Sequence, residues 1–261
     1  MNFLKKLFAL TLLLLALASY PLSAQNKAIK IETQDANAVV TLLEGRASVL
    51  KEGLKTPKTL SQGDRLTRGD RVTTEIKSRI EIKMPDKSVI RFDEKTTFVL
   101  ESVAYDQKTQ KKDINVSMIL GKTWANVPKF SGSKGRFEIT TKTAVAGVRG
   151  TDFRMNLNAD NSAVLKVYEG EVAVSKRKDA GIAEATAKLA KPTKVAGPQP
   201  VAGPHPVSME EWTYIVGALQ QINIQADGSA TKPFRFDIAK DLDEWVRWNQ
   251  SRNQLIQPQG R

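Results

Sequence analysis

Three carboxylates, Asp152, Glu169 and Glu171, share a stretch of this chain with a cation set between glycines, Arg149 in Gly147-Val-Arg-Gly-Thr-Asp152. Two carboxylates about 5–10 Å apart are what glycoside hydrolysis uses, so one reading of Asp152 with Glu169 or Glu171 is a hydrolase acting on glycan. The other reading is structural. Gly147 and Gly150 bracket Arg149, and glycine admits backbone torsions and close approaches closed to other residues. A guanidinium held in so cramped a place wants a carboxylate or several carbonyls. Glu169 or Asp152 then neutralises Arg149 across neighbouring strands, as a buried pair that fixes register more than it adds stability. On this reading Gly147, Arg149, Gly150, Thr151, Asp152, Glu169 and Gly170 form a structural motif with no catalytic member. Loss of Arg149 would strand a carboxylate and cause misfolding.

Other chemistry is poorly provided for. The sequence has no Cys and one His, His205, which lies in Val201-Ala-Gly-Pro-His-Pro206 between prolines that hold no partner in place. Thiolate metal sites, disulfides and cysteine nucleophiles are excluded. There is no ligand-spaced His/Cys cluster, no glycine-rich phosphate loop opening a helix and no calcium loop with its terminal Glu, so no metal or cofactor is expected.

The elements that must position the motif are strands. Phe137-Glu-Ile-Thr140 and Phe153-Arg-Met-Asn-Leu157 alternate apolar and polar residues on either side of a junction of small residues. The same alternation recurs at residues 39–43, 47–50, 79–84, 88–92, 97–100, 114–120, 123–127, 164–168 and 171–174, without a long helical period between them. The class expected is mainly β, an antiparallel roll or sandwich, with a solenoid-like stack as the variant. Pro85-Asp-Lys-Ser88 reads as a hairpin turn. Gly63-Asp-Arg-Leu-Thr67 is echoed by Gly69-Asp-Arg-Val-Thr73, which would suit successive rungs of a coil.

Outside the strands the pattern changes. Met1-Asn-Phe-Leu-Lys-Lys6, an apolar run to Ala18 and Ser23-Ala24 have the form of a secretory signal peptide cut before Gln25. Its apolar run is far shorter than the roughly 20 residues that span a bilayer. The expectation is export to the periplasm or beyond, with no integral membrane segment after cleavage. Loss of Lys5 and Lys6 would take the formal charge from +12 to +10. Outside the inner membrane such a charge meets cell-wall and glycolipid anions rather than nucleic acid. Lys108, Lys111, Lys112, Lys129, Lys134 and Arg136, placed in loops, are candidates for an adhesive face, against the plainer reading of a solvated surface.

The organisation expected is a signal peptide at 1–24, a lead-in at 25–37, the β-domain at 38–175, an Ala/Lys/Pro-rich linker at 176–208 and a helical extension at 209–261. In that extension Ser208-Met-Glu-Glu211 has the capping-box form, and Trp212, Ile215, Val216 and Leu219 follow at helical spacing. A second helix is expected from about Asp237, with Leu242, Trp245 and Val246 on one face. Both are expected to pack on their own protein, since short isolated helices are marginal in water.

The chain resembles the FecR family. The pieces that carry the resemblance are Gly45-Arg-Ala-Ser-Val49, Leu60-Ser-Gln-Gly-Asp64, Gly69-Asp-Arg-Val-Thr-Thr74, Ile80-Glu-Ile-Lys-Met-Pro-Asp-Lys-Ser-Val-Ile90, Gly121-Lys-Thr-Trp-Ala-Asn-Val127, Phe137-Glu-Ile-Thr-Thr141, Ala146-Gly-Val-Arg-Gly-Thr-Asp-Phe153 and Tyr168-Glu-Gly-Glu-Val172, in family order. The resemblance implies an all-β periplasmic domain that receives a signal and controls an alternative sigma factor. The family's regulators begin with a cytoplasmic anti-sigma segment, whereas an export signal begins this sequence. The expectation is therefore a non-enzymatic binding or signalling module that recognises an envelope protein or an anionic glycan. The alternatives are the glycan hydrolase and a regulator acting on a sigma factor through a separate membrane partner.

Overall fold

The computed structural model describes residues 36–129, 134–177 and 213–256. The signal peptide, most of the linker with His205, and the Ser208–Glu211 capping box with Trp212 lie outside the described residues.

Among the described residues, fifteen strands form one continuous hydrogen-bonded sheet. Their order in the chain is β1 (Ala38–Glu44), β2 (Ala47–Leu50), β3 (Lys58–Thr59), β4 (Arg65–Leu66), β5 (Arg71–Thr74), β6 (Arg79–Lys83), β7 (Val89–Phe92), β8 (Thr97–Asp106), β9 (Lys111–Val127), β10 (Lys134–Thr140), β11 (Ala144–Leu157), β12 (Ala163–Lys176), β13 (Thr213–Gly217), β14 (Gln220–Ile224) and β15 (Phe234–Arg235). Two helices follow, α1 (Ile238–Asp241) and α2 (Glu244–Ile256).

Three long strands fold this sheet into two leaves. The first half of β9 pairs β8 and β10, and its second half, from Gly121, pairs β7 and β11. β11 changes partners likewise at Gly150, and β12 at Gly170. Leaf I therefore runs β3-β2-β5-β8-β9-β10-β11-β12-β13, and leaf II runs β4-β1-β6-β7-β9-β11-β12-β14-β15. Strands that switch sheets in this way make the corners of β sandwiches. The segments 114–120 and 123–127, which the sequence presents as separate strands, are the two halves of one.

Alternation sends one set of side chains between the leaves. Ile80, Ile82, Ile90, Phe92, Phe98, Val116, Phe137, Ile139, Phe153, Met155, Leu165, Val167, Val172 and Val174 are buried there in one cluster, with the Phe92 and Phe98 rings stacked across the β7–β8 corner. Burying each such side chain contributes about 1.5–3 kcal/mol. Among the described residues, none beyond Ile224 belongs to the buried set of this core.

Five local expectations change. The junction at 144–149 is itself strand, the first half of β11. The β9–β10 pair is parallel, Lys134 opposing Lys111. β9 ends in leaf II, and the chain re-enters leaf I beside the first residue of β9, so the direction repeats. The two Gly-Asp-Arg copies make the same turn, with Asp64 accepting from the Ser61 N–H and Asp70 from the Thr67 N–H, each at 2.8 Å. They feed opposite leaves through β4 and β5, so they are not rungs of a coil. The helix expected through Ile215, Val216 and Leu219 is instead the hairpin β13–β14, whose strands extend leaf I and leaf II along β12. The helix expected from Asp237 is present but interrupted: Asp237 caps α1, and the Asp243 carboxylate accepts the Val246 N–H at the start of α2.

Candidate functional site

The corner of β11 and β12 carries half of the Arg149 motif. Gly150 and Gly170 have φ of +63° and +81°, and a Cβ on Gly170 would lie 2.4 Å from the Gly150 carbonyl oxygen. Only glycine lets the two bent strands stack there. Thr151 locks the corner, its hydroxyl donating to the Glu171 carbonyl at 2.9 Å.

Arg149 is not part of a buried pair. It opposes Glu171 in register, is exposed, and among the described residues makes no hydrogen bond or ion pair. It lies on the outer face of leaf I at a shallow groove of about 320 Å³. The floor follows the register Glu138, Gly147, Ala173, Ile215. Arg136, Glu138, Arg149 and Glu171 supply charge around it, and Ile215 an apolar side 57% exposed. Gly147 is neither strained nor crowded, since the nearest atom to an added Cβ is the Ala173 carbonyl oxygen at 3.7 Å. The expectation of a guanidinium in a cramped place is overturned.

The basic residues also rearrange. Lys111, Lys112, Lys134 and Arg136 are in strands β9 and β10, not loops. Lys112 is buried and paired with Asp86 at 2.8 Å, inside the Pro85–Ser88 hairpin. Arg136 holds Asp113 with two hydrogen bonds, at 2.6 and 3.2 Å. Lys108 and Lys129 are exposed.

Asp152, past the corner, enters leaf II and faces outward, opposite Asn126 on one side and Glu169 on the other. Here the outer face is covered. α2 lays Trp245 and Val246 against Trp124, with Leu242, Tyr168 and Trp248 around them. Beneath the rest of the helix is a layer of charge. Arg91, fully buried, donates to Glu81 at 2.7 Å and to the Asn253 side chain at 2.7 Å. Arg252 closes on Glu81 at 2.9 Å, and Asn253 donates to Asp152 at 2.7 Å. At the other end Asp241 accepts from Arg154, from Lys166 at 2.7 Å and from the Tyr168 hydroxyl at 2.5 Å.

These partners set the ionisation of the site. Burial pushes Asp152 up from 3.8 to about 7 and the Glu169 charge adds to it, although the Trp124 indole, Arg91 and Asn253 pull the other way. Asp241 goes down: burial opposes its charge, but Lys166, Tyr168 and Arg154 outweigh burial. Glu81 is held down likewise, with Arg252, Arg91 and Thr41 overcoming burial. An acid near neutrality beside a second carboxylate is what a hydrolase would need. Here Asp152 Oδ1 has no accessible surface under α2 while Glu169 is exposed, so the two do not share an open cleft.

Of the residues the sequence singles out, the structure brings Gly150, Thr151 and Gly170 together at one corner, and separates Arg149 from Asp152 onto opposite leaves. It missed Glu81, Arg91, Arg154, Tyr168, Asp241, Asn249 and Asn253. Their trace in the sequence is the recurrence of charge on the outward positions of β6, β7 and β11 next to Trp124.

Residues 70–173 match the family model described as FecR protein, and over that span the resemblance read from the motifs holds. The mainly β fold agrees with it. Two crystal structures, at 1.65 and 2.50 Å, of a protein from Parabacteroides distasonis ATCC 8503 described as a "putative anti-sigma factor" are similar to this chain. Identity to it is 15%, the TM-score is 0.41, and the likeness covers 64% of this chain and 60% of that one. A search of curated proteins finds no match. Among the described residues no helix is long and apolar enough to cross a membrane.

Proposed function

We propose that the protein is an exported, non-enzymatic signalling module of FecR type that recognises another component of the cell envelope through the outer face of leaf I. Arg149 carries the reading. It is the one charged side chain of the Gly147–Asp152 motif left exposed and unpaired among the described residues, and it stands at a groove. A cation with no structural duty is available to a carboxylate or phosphate of a partner. The signal-peptide form of residues 1–24 and the FecR match support an encounter outside the inner membrane, with an envelope protein or an anionic cell-wall or glycolipid polymer as the partner.

The test is capture from an envelope extract in parallel with sedimentation on purified cell wall, using the wild type and Arg149→Ala. Binding in either assay that drops at least tenfold in a folded Arg149→Ala protein supports the proposal. Binding indifferent to Arg149, or turnover of a wall fragment by the purified protein, overturns it.

A further inference from the structure

The outer face of leaf II raises a different question: why a sheet face so rich in charge is roofed at all. Arg79, Glu81, Arg91, Trp124, Asp152, Arg154, Lys166 and Tyr168 all lie within the FecR-matched span, whereas the helices that cover them lie beyond it. The roof adds little to the main core, whose buried residues end at Ile224. The second apolar cluster is small, with Trp124, Trp245 and Val246 as its buried members. The remaining contacts are ion pairs, hydrogen bonds and the Arg79 and Arg91 guanidiniums against Trp245 and Trp248, polar groups that water can solvate when both sides open together.

We infer that α1 and α2 form a releasable strap over a helix-binding face of leaf II, latched by Asp241 at one end and by the Asp152–Asn253 contact at the other. Lifting it opens the Trp124 surface and the Arg91 and Arg154 guanidiniums without opening the core. What this face accepts is an acid-bearing turn followed by an amphipathic helix, with Trp and Val four and five residues after the acid and Asn eight and twelve residues after it, as Asp241, Trp245, Val246, Asn249 and Asn253 present them. In the closed state α1 and α2 occupy that place themselves.

The latch is proton-coupled. The groups facing Asp152 are Arg91 from β7, Trp124 from β9, Glu169 from β12 and Asn253 from α2, with Glu81 and Arg252 one contact further through Arg91. The burial that raises the Asp152 carboxyl to about 7 is completed by α2, so the closed state is favoured while Asp152 is protonated and loses ground as pH rises through that value. Asp241 and Glu81, held down by closure, act oppositely, but only as pH falls below the ordinary carboxylate range.

Hydrogen exchange on the full chain tests this. In the wild type the α2 amides should exchange at least tenfold faster than those of β6, β7, β11 and β12, with opening rising about tenfold from pH 6 to pH 8. Asp241→Asn should speed α2 exchange a further tenfold or more, leave core protection intact, and let a synthetic peptide of residues 237–256 bind in trans. Asp152→Asn, nearly isosteric, should flatten the pH dependence. If α2 exchanges only with the core, if Asp241→Asn unfolds the whole domain, or if the loosened variant ignores the peptide, the strap is a fixed part of the fold and the inference fails.

Discussion

The two outer faces of this folded sheet are written in the same alternating pattern and meet opposite fates. On leaf I, Arg136, Glu138, Arg149 and Glu171 stay in solvent or at half-burial around an open groove. On leaf II, Glu81, Arg91 and Arg154 are buried and Asp152 nearly so, because helices far beyond them in the chain lie over them. Alternation decides which way a side chain points. It does not decide what meets it there. The same polar residue type is therefore cheap to remove on one leaf and expensive on the other.

The largest expected effect is at the centre of the covered face. Arg91→Ala leaves Glu81 buried beside a lost partner and withdraws a favourable charge from Asp152. Breaking a buried pair from one side costs about 3–5 kcal/mol, read as a shift of the urea midpoint at unchanged slope. A loss below about 1 kcal/mol would show that water enters beneath α2, and the contrast between the leaves would narrow. The corner comes next. Gly170→Ala must place a side chain at φ +81° and against the Gly150 carbonyl, costing about 2 kcal/mol or more in the same assay.

A smaller effect is set by pH. Since Asp152 is raised from 3.8 to about 7 in the folded protein, its contribution is complete only below the ordinary carboxylate value and is lost as pH rises from there through about 7. Denaturation should therefore show the wild type about 1 kcal/mol more stable at pH 6 than at pH 8 relative to Asp152→Asn. An identical pH response in the two proteins would mean that Asp152 is solvated in the folded state.

Much of the fold was legible from local pattern. The strand alternation, the Pro85–Ser88 hairpin and the FecR motifs all speak through short-range chemistry. The β13–β14 hairpin did not, because its turn puts Leu219, rather than Gly or Asn, at φ +61°, and so lacked the usual signal. Ile215, Val216 and Leu219 also fit a helical stripe, and what decided between the two was the open edge of β12, a tertiary demand that no local window contains. Asp152 and Arg149 were paired by proximity in sequence. The corner at Gly150 parted them, and a corner is visible only once the two leaves are.

The smallest expected effects sharpen the comparison most. Arg149→Ala removes an exposed, unpaired cation, so its stability cost should stay within about 0.5 kcal/mol, against the misfolding that a buried pair would have predicted. Gly147→Ala is the stricter case, because Gly147 shares its motif with Gly150 yet has no positive φ and offers an added Cβ only an ordinary contact with the Ala173 carbonyl oxygen. An added methyl there should leave stability within about 0.5 kcal/mol of wild type, or raise it slightly by restricting the unfolded chain. That same methyl rises from the groove floor between Glu138 and Ala173. If leaf I is a recognition face, Gly147→Ala should weaken partner capture while the thermal midpoint holds. A variant that binds as the wild type does, with Arg149→Ala equally silent, would move recognition away from this face.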